Sequence, residues 1–135
     1  MASPGTTTIT PTSAPDHSPA ANCEQRRALI RDVLERIGDK WSVVVICQLG
    51  HGTRRFNELR RQSDPITQRM LSATLRGLER DGLVTRTVHD SKPPRVDYTL
   101  TPRGLSLLDV VRGLASWAEG NVTDILASRA LFDGR

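Results

Sequence analysis

The stretch ITQRMLSATLRGLERDGLVTRTVHDSKPPRVDYTLTPRG (66–104) changes its periodicity partway, and this change decides the fold. Thr67 is a suitable N-cap for a helix that extends to about Arg80, and its inward stripe consists of Leu71, Thr74, Leu75 and Leu78. Residues 83–89 and 95–100 instead alternate with a period of two around the turn segment DSKPP. The sequence therefore predicts a helix followed by a β-hairpin.

Positive charge is concentrated in this part of the chain. Residues 50–95 hold ten basic and five acidic side chains, while the whole chain has a formal net charge of only +4. A focused basic band is typical of a protein that lies on phosphates, although charge alone fits a solvated arginine-rich face equally well. Because helical residues advance by about 100° each, Arg69 and Arg76 point away from Leu71 and Leu75.

The N-terminal part of the chain predicts a first helix. Asn22 followed by Gln25 resembles a capping box, and Gly38 is a suitable helix end. Between them, apolar side chains recur at helical spacing: Leu29, Ile30, Val33, Leu34 and Ile37.

Two further helices are predicted before the basic one. Asp39 can cap a helix over 40–49, whose polar residues are almost limited to Ser42 and Gln48, so we expect it to be buried and central. The heptapeptide FNELRRQ (56–62) predicts a short third helix.

Length and composition indicate one domain with extensions at both ends. Residues 1–22, rich in Pro, Thr and Ser, have too few apolar side chains to offset the entropy of ordering and predict a disordered tail. Residues 23–121 form the predicted domain, and 122–135 a C-terminal helical extension. The chain shows neither a signal peptide nor the roughly 18–20 apolar residues of a membrane span, so we expect a cytoplasmic protein.

The order helix, helix, short helix, basic helix, hairpin, helix is that of a winged helix-turn-helix, a mainly α-helical fold with a small β-hairpin wing. A major groove about 12 Å wide admits one α-helix, so the fourth helix is the predicted recognition helix. Its candidate base-contacting residues are Gln68, Arg69, Ser72, Ala73 and Arg76. The candidates for contacts with backbone phosphates are Arg54, Arg55, Arg60 and Arg61. The wing candidates are Lys92 and Arg95.

Four motifs in register also resemble the HxlR-type family of bacterial transcriptional regulators, which is related in architecture to the MarR-type regulators. They are IGDKWSVVVICQL (37–49), RRFNELRR (54–61), ITQRMLSATLRGLERDGLVTR (66–86) and PPRVDYTLTPRG (93–104). The resemblance implies a homodimer, built from the first and last helices, that binds a pseudo-palindromic operator in double-stranded DNA near the genes it controls.

The last helix begins at Thr101 and Pro102, an N-cap followed by a first-turn proline. It carries two adjacent apolar stripes, whereas the core of a lone domain needs one, and exposing the second would be costly. We therefore predict a homodimer interface that includes Leu107, Val110, Leu114, Trp117, Val122, Ile125 and Leu126.

The two cysteines raise the question of a redox signal. Some members of the HxlR-type family, which this chain resembles, sense oxidants through a cysteine near the start of the first helix. The corresponding position in this chain is Ala28. Cys23 lies five residues earlier and is the candidate redox sensor, while Cys47 falls in the predicted buried helix. A small-molecule effector bound between the dimer helices is the alternative signal.

Other functional classes find little support. His17, His51 and His89 are scattered without ligand-like spacing, so no metal site is predicted. No nucleophile–base pair, phosphate-binding glycine loop or dinucleotide motif occurs, so we expect neither a cofactor nor an enzyme. The alternative function is an architectural or protein-interaction winged-helix module without operator specificity.

Overall fold

A computed structural model of the protein describes residues 19–135, with side chains from Asn22 onward. The elements are, in chain order, α1 (Pro19–Gly38), α2 (Lys40–Leu49), β1 (Arg54–Arg55), α3 (Phe56–Gln62), α4 (Gln68–Arg80), β2 (Val84–His89), β3 (Arg95–Leu100) and α5 (Pro102–Asp133). The chain divides after Glu35 into two units. The mainly helical winged fold predicted from the sequence is confirmed.

Helix α1 begins earlier than predicted. It starts at Pro19, so the prediction that residues 1–22 form a tail is wrong for 19–22, and Asn22 is not an N-cap. Proline is favoured in the first turn of a helix and alanine has the highest helix propensity, which explains why PAAN joins the helix. Residues 1–18 lie outside the described part of the chain. Within α1 the apolar side chains remain exposed: Leu29, Ile30, Val33 and Leu34.

Helix α2 lies at the centre of the second unit, as predicted. The Asp39 carboxylate caps it by accepting a hydrogen bond from the Trp41 backbone N–H at 3.2 Å. Ser42, which the sequence suggested as part of a polar side, is instead fully buried and donates to Asp39 Oδ2 at 2.8 Å. The core around α2 contains Val45, Ile46, Leu49, Leu59, Ile66, Leu71, Leu75, Leu78, Leu83, Val84, Tyr98, Leu100 and Leu108.

The sheet has three strands rather than the two of the predicted hairpin. Strand β3 is central and pairs antiparallel with both neighbours, in the order β1-β3-β2. The additional strand β1 places Arg54 opposite Tyr98 and Arg55 opposite Asp97. A two-residue strand carries no periodicity of its own, so sequence patterning could not reveal it.

Helix α5 is fastened at its start to the turn that leads into β2. The Thr101 backbone N–H donates to the Leu83 carbonyl at 3.0 Å, and the Thr101 hydroxyl donates to the Gly82 carbonyl at 2.6 Å. That hydroxyl also accepts from the Gly104 N–H at 3.1 Å, completing the predicted N-cap. From there α5 continues as a single helix to Asp133, without an interruption near residues 121–122.

Gly104 permits the close approach of α5 to this turn. A methyl group at this position would meet the Leu83 carbonyl oxygen and the Leu100 side chain. We expect Gly104→Ala to lower the free energy of unfolding by about 1–3 kcal/mol, because neither backbone nor core can move aside freely. Urea denaturation of the purified variant measures the change.

Gly113 in the same helix is the matched control, because a methyl group there meets no atom within 4 Å. Gly113→Ala should raise the unfolding free energy by about 0.5–1 kcal/mol through helix propensity. Equal effects of the two substitutions would contradict the tight packing at Gly104.

Candidate nucleic-acid interface

Helix α4 presents one buried and one open side, as the sequence predicted. Its inward residues Leu71, Thr74, Leu75 and Leu78 are all buried. Of the candidate base-contacting residues, Ser72 is half-buried, and the exposed ones are Gln68, Arg69, Ala73 and Arg76. The Thr67 hydroxyl caps the helix by accepting from the Met70 N–H at 3.1 Å. The fold therefore orients two guanidinium groups outward from a rigid, well-anchored helix.

The C-terminal end of α4 is held by an arginine that the sequence analysis did not single out. Arg36 donates from Nε and Nη2 to Asp81 Oδ2, at 3.2 and 3.0 Å, and from Nη2 to the Gly77 carbonyl at 3.4 Å. A Cβ atom at Gly77 would lie 2.6 Å from Arg36 Nη1, so the absence of a side chain makes room for this contact. A cation at a helix C-terminus also interacts favourably with the helix dipole.

The four candidate backbone-contacting arginines do not share one environment. Arg55, Arg60 and Arg61 are exposed, and the last two flank a shallow depression together with Asn57 and Asp64. Arg54 is half-buried in β1, and its Nε is inaccessible to solvent without a hydrogen-bond partner. Arg54 is therefore less free to reach a phosphate than the other three.

The wing candidates lie on the hairpin formed by β2 and β3. Lys92 is exposed in the five-residue tip between His89 and Arg95. Arg95 Nε lies 3.6 Å from Asp97 Oδ1, and the His89 ring contacts Asp97 Oδ2 at 2.8 Å. Asp97 thus partly neutralises Arg95, whereas Lys92 takes part in no ion pair among the described residues.

The fold brings the wing close to the start of α3. Lys92 and Arg95 line an open groove of about 620 Å³ together with Arg55, which belongs to β1. Arg55 therefore forms one basic surface with Lys92 and Arg95, although at least 37 positions in the chain separate it from them. A surface of this charge suits a phosphate backbone.

A second groove, of about 540 Å³, separates α4 from the sheet; we call it the α4–sheet groove. Gln68, Ser72 and Arg76 line it from the helix, and Arg86, Val96 and Tyr98 from the hairpin strands. Neither Arg86 nor Tyr98 was among the candidate residues predicted from the sequence. Arg86 belongs to the basic band, but its position beside the helix follows only from the docking of the sheet against α4.

The predicted dimer residues lie along α5 with different exposure. Leu107 is half-buried and packs against the core. Ile125 is also half-buried, and the others are exposed: Val110, Leu114, Trp117, Val122 and Leu126. Beyond Val111 no described residue of α5 is buried.

The described residues include two cysteines and several candidate metal ligands. Cys23 is exposed and Cys47 half-buried, and both are free thiols. Within the described residues no cluster of three or more His, Cys, Asp or Glu side chains is placed to hold a metal ion. Within residues 19–135, no helix has the length and apolar character that spanning a bilayer requires.

The chain is similar to known helix-turn-helix proteins. Residues 36–125 match the family model described as HxlR-like helix-turn-helix. The uncharacterized HTH-type transcriptional regulator YtfH of Escherichia coli K12 is 38% identical over 99 residues, which cover 73% of this chain and 79% of that protein.

Two solved structures have the same architecture. A transcriptional regulator ytfH from Salmonella typhimurium aligns with a TM-score of 0.66 at 39% identity, covering 74% of this chain and 89% of that one. The redox regulator HypR in its reduced form aligns with a TM-score of 0.65 at 42% identity, covering 73% of this chain and 97% of that one.

Proposed function

Because the chain belongs to the HxlR-like helix-turn-helix family of transcriptional regulators, we propose that it binds a pseudo-palindromic operator as a homodimer and controls transcription there. The observation that carries this proposal is the outer side of α4, where Arg69 and Arg76 are exposed opposite a fully buried leucine stripe. The proposal includes a cytoplasmic location, where a bacterial regulator meets the chromosome.

Base recognition is assigned to α4. Its 13 residues span about 20 Å, and a helix of this kind fits lengthwise into the major groove. The proposed base-contacting residues are Gln68, Arg69, Ser72, Ala73 and Arg76. A guanidinium can donate two parallel hydrogen bonds to O6 and N7 of guanine, so Arg69 and Arg76 are the main candidates for specificity.

Phosphate contacts are assigned to the basic surface around α4. The proposed donors are Arg55, Arg60 and Arg61 beside α3 and Lys92 at the wing tip. Arg54 and Arg95 are included with weaker expected contributions, because the first is half-buried and the second lies near Asp97. Contacts with phosphates position the protein and carry no direct sequence information.

Dimerisation is assigned to the exposed apolar side of α5, together with α1. Leu114, Trp117 and Leu126 are each more than half exposed, an unfavourable arrangement for a monomer in water. The full proposed set on α5 is Leu107, Val110, Leu114, Trp117, Val122, Ile125 and Leu126. A two-fold axis would place two copies of α4 one DNA turn apart, about 34–36 Å, which matches a pseudo-palindromic operator.

Oxidation of Cys23 is the proposed signal, with a small-molecule effector as the alternative. The thiol is exposed, as a reactive cysteine must be, and the related HypR is named as a redox regulator. Two Cys23 thiols from the two protomers would form a disulfide while a peroxide takes up two electrons and two protons and leaves as water.

The first prediction from the proposed function separates sequence-specific recognition of the operator from non-specific binding to DNA. Arg69→Ala and Arg76→Ala should each weaken binding to the operator by about 1–3 kcal/mol and to random DNA far less. Lys92→Ala should weaken both similarly and lower the slope of log affinity against log salt by about one unit. Fluorescence anisotropy titrations with the upstream region of the protein's own gene and a random duplex measure these effects.

Arg129→Ala removes an exposed charge outside the basic band and should change neither affinity. If Arg69→Ala and Arg76→Ala weaken operator and random DNA by the same factor, α4 does not select the bases. The architectural or protein-interaction module without operator specificity would then be the better description.

The second prediction concerns assembly. Leu114→Glu should convert the dimer to a monomer, because it places a charge in the proposed interface, and operator affinity should fall with it. Leu105→Glu is the matched control: Leu105 is 49% exposed, close to the 54% of Leu114, but lies on the opposite side of the helix. Sedimentation equilibrium measures the mass, and a stable parent monomer at micromolar concentration would refute the dimer.

The third prediction tests the thiols. After peroxide treatment the parent protein should lose operator affinity, while Cys23→Ser should retain it because the disulfide cannot form. Cys47→Ser, at the half-buried cysteine, should respond like the parent. Identical responses of the parent and Cys23→Ser would exclude Cys23 as the sensor.

A further inference from the structure

The hydroxyl of Tyr98 stands out among the polar groups near α4. Tyr98 is only 9% exposed and its side chain belongs to the core, yet its hydroxyl makes no hydrogen bond within the described residues. The hydroxyl oxygen itself remains accessible to solvent. Tyr98 also lines the α4–sheet groove. A donor held rigidly by its buried ring is thus left open toward this groove.

Arg86 lies opposite Tyr98 on the neighbouring strand. It pairs with Tyr98 across β2 and β3, and residues opposite each other in such a pair project from the same face of the sheet. Arg86 is exposed, forms no ion pair among the described residues, and lines the same groove. The sheet therefore offers two unpartnered donors, one cationic and one neutral, at neighbouring positions.

The charge of the groove favours an anion. Arg76 contributes a second guanidinium from α4, and Glu79, one turn further along the helix, is the one acidic residue among the lining side chains. Val96 and Phe56 complete the wall and are both half-buried. An anion with oxygen acceptors can pair with Arg86 and accept a hydrogen bond from the Tyr98 hydroxyl.

The place of the groove identifies the anion. If α4 enters the major groove and the wing tip reaches the flanking DNA, the sugar–phosphate strand between these two contacts must pass over the surface that separates α4 from the hairpin. This surface is the α4–sheet groove. We propose that the groove binds a phosphodiester group of the DNA backbone, with the Arg86 guanidinium and the Tyr98 hydroxyl as its donors. This assignment rests on the proposed DNA-binding function and extends it to residues outside α4.

The two donors can be removed separately. Tyr98→Phe should weaken binding to a short random-sequence duplex roughly tenfold, with an unchanged salt slope, because a neutral donor to a charged acceptor is lost. Arg86→Gln should weaken it at least as much and lower the salt slope by about 0.9. Since every sequence carries the same phosphates, operator DNA should be affected by the same factors.

Two further variants serve as controls. Glu79→Gln should strengthen binding, because it removes the acidic side chain from the groove. Arg129→Gln, in the distal part of α5, should have no effect on either DNA. Tyr98→Phe should also retain the melting temperature of the parent, since the hydroxyl makes no hydrogen bond to the described residues.

A direct probe is available because Tyr98 is the only tyrosine in the chain. Incorporation of 3-fluorotyrosine gives a single fluorine-19 resonance that reports on the groove. This resonance should shift when a random duplex is added, and a smaller shift is expected in Arg86→Gln at equal saturation with DNA.

The outcomes separate this proposal from the wider one. If both groove variants bind the random duplex like the parent, or if the resonance does not move at saturation, the phosphate site is refuted while operator recognition by Arg69 and Arg76 is untouched. If Arg69→Ala and Arg76→Ala show no preference for operator DNA but the groove variants behave as expected, the phosphate site stands and operator recognition fails.

Discussion

The packing of Leu71, Leu75 and Leu78 against α2 is the interaction on which the rest of the structure depends. All three leucines are at most 2% exposed, and α2 meets them with Val45, Ile46 and Leu49 in the same core. A fully buried leucine contributes about 1.5–3 kcal/mol, so the helix cannot rotate about its axis without losing most of this energy. The rotation of α4 in turn decides which side chains face the solvent, and Arg69 and Arg76 are among them.

Both ends of α4 are fixed by side-chain hydrogen bonds, locally at its start and through α1 at its end. Thr67 caps the beginning, while Arg36 holds Asp81 and the Gly77 carbonyl at the end. Gly82 follows with a φ of 73°, a conformation that favours glycine, and turns the chain directly into β2. The short turn therefore places the hairpin next to the end of α4.

The helices near the candidate interface were predictable because their signals are local. Asp39, Thr67 and Thr101 mark helix starts at which a side chain can bond the backbone within the next turn, and the structure confirms all three caps. The features that escaped prediction depend on long-range contacts. Strand β1 exists only through its pairing with β3, and the groove position of Arg86 arises only once the sheet docks on α4. No pattern along the chain encodes such contacts.

The length of α5 bears on assembly. Its core contacts end at Val111, yet the helix continues for 22 residues to Asp133 and contains Gly113 and Gly120. An isolated helix of this kind is marginal in water, since each internal glycine costs about 1 kcal/mol and stability normally comes from packing of an apolar side. That apolar side exists in this segment, where Trp117 is 61% exposed. A second copy of the same helix would cover it, so the fold of α5 itself favours the proposed dimer over a monomer.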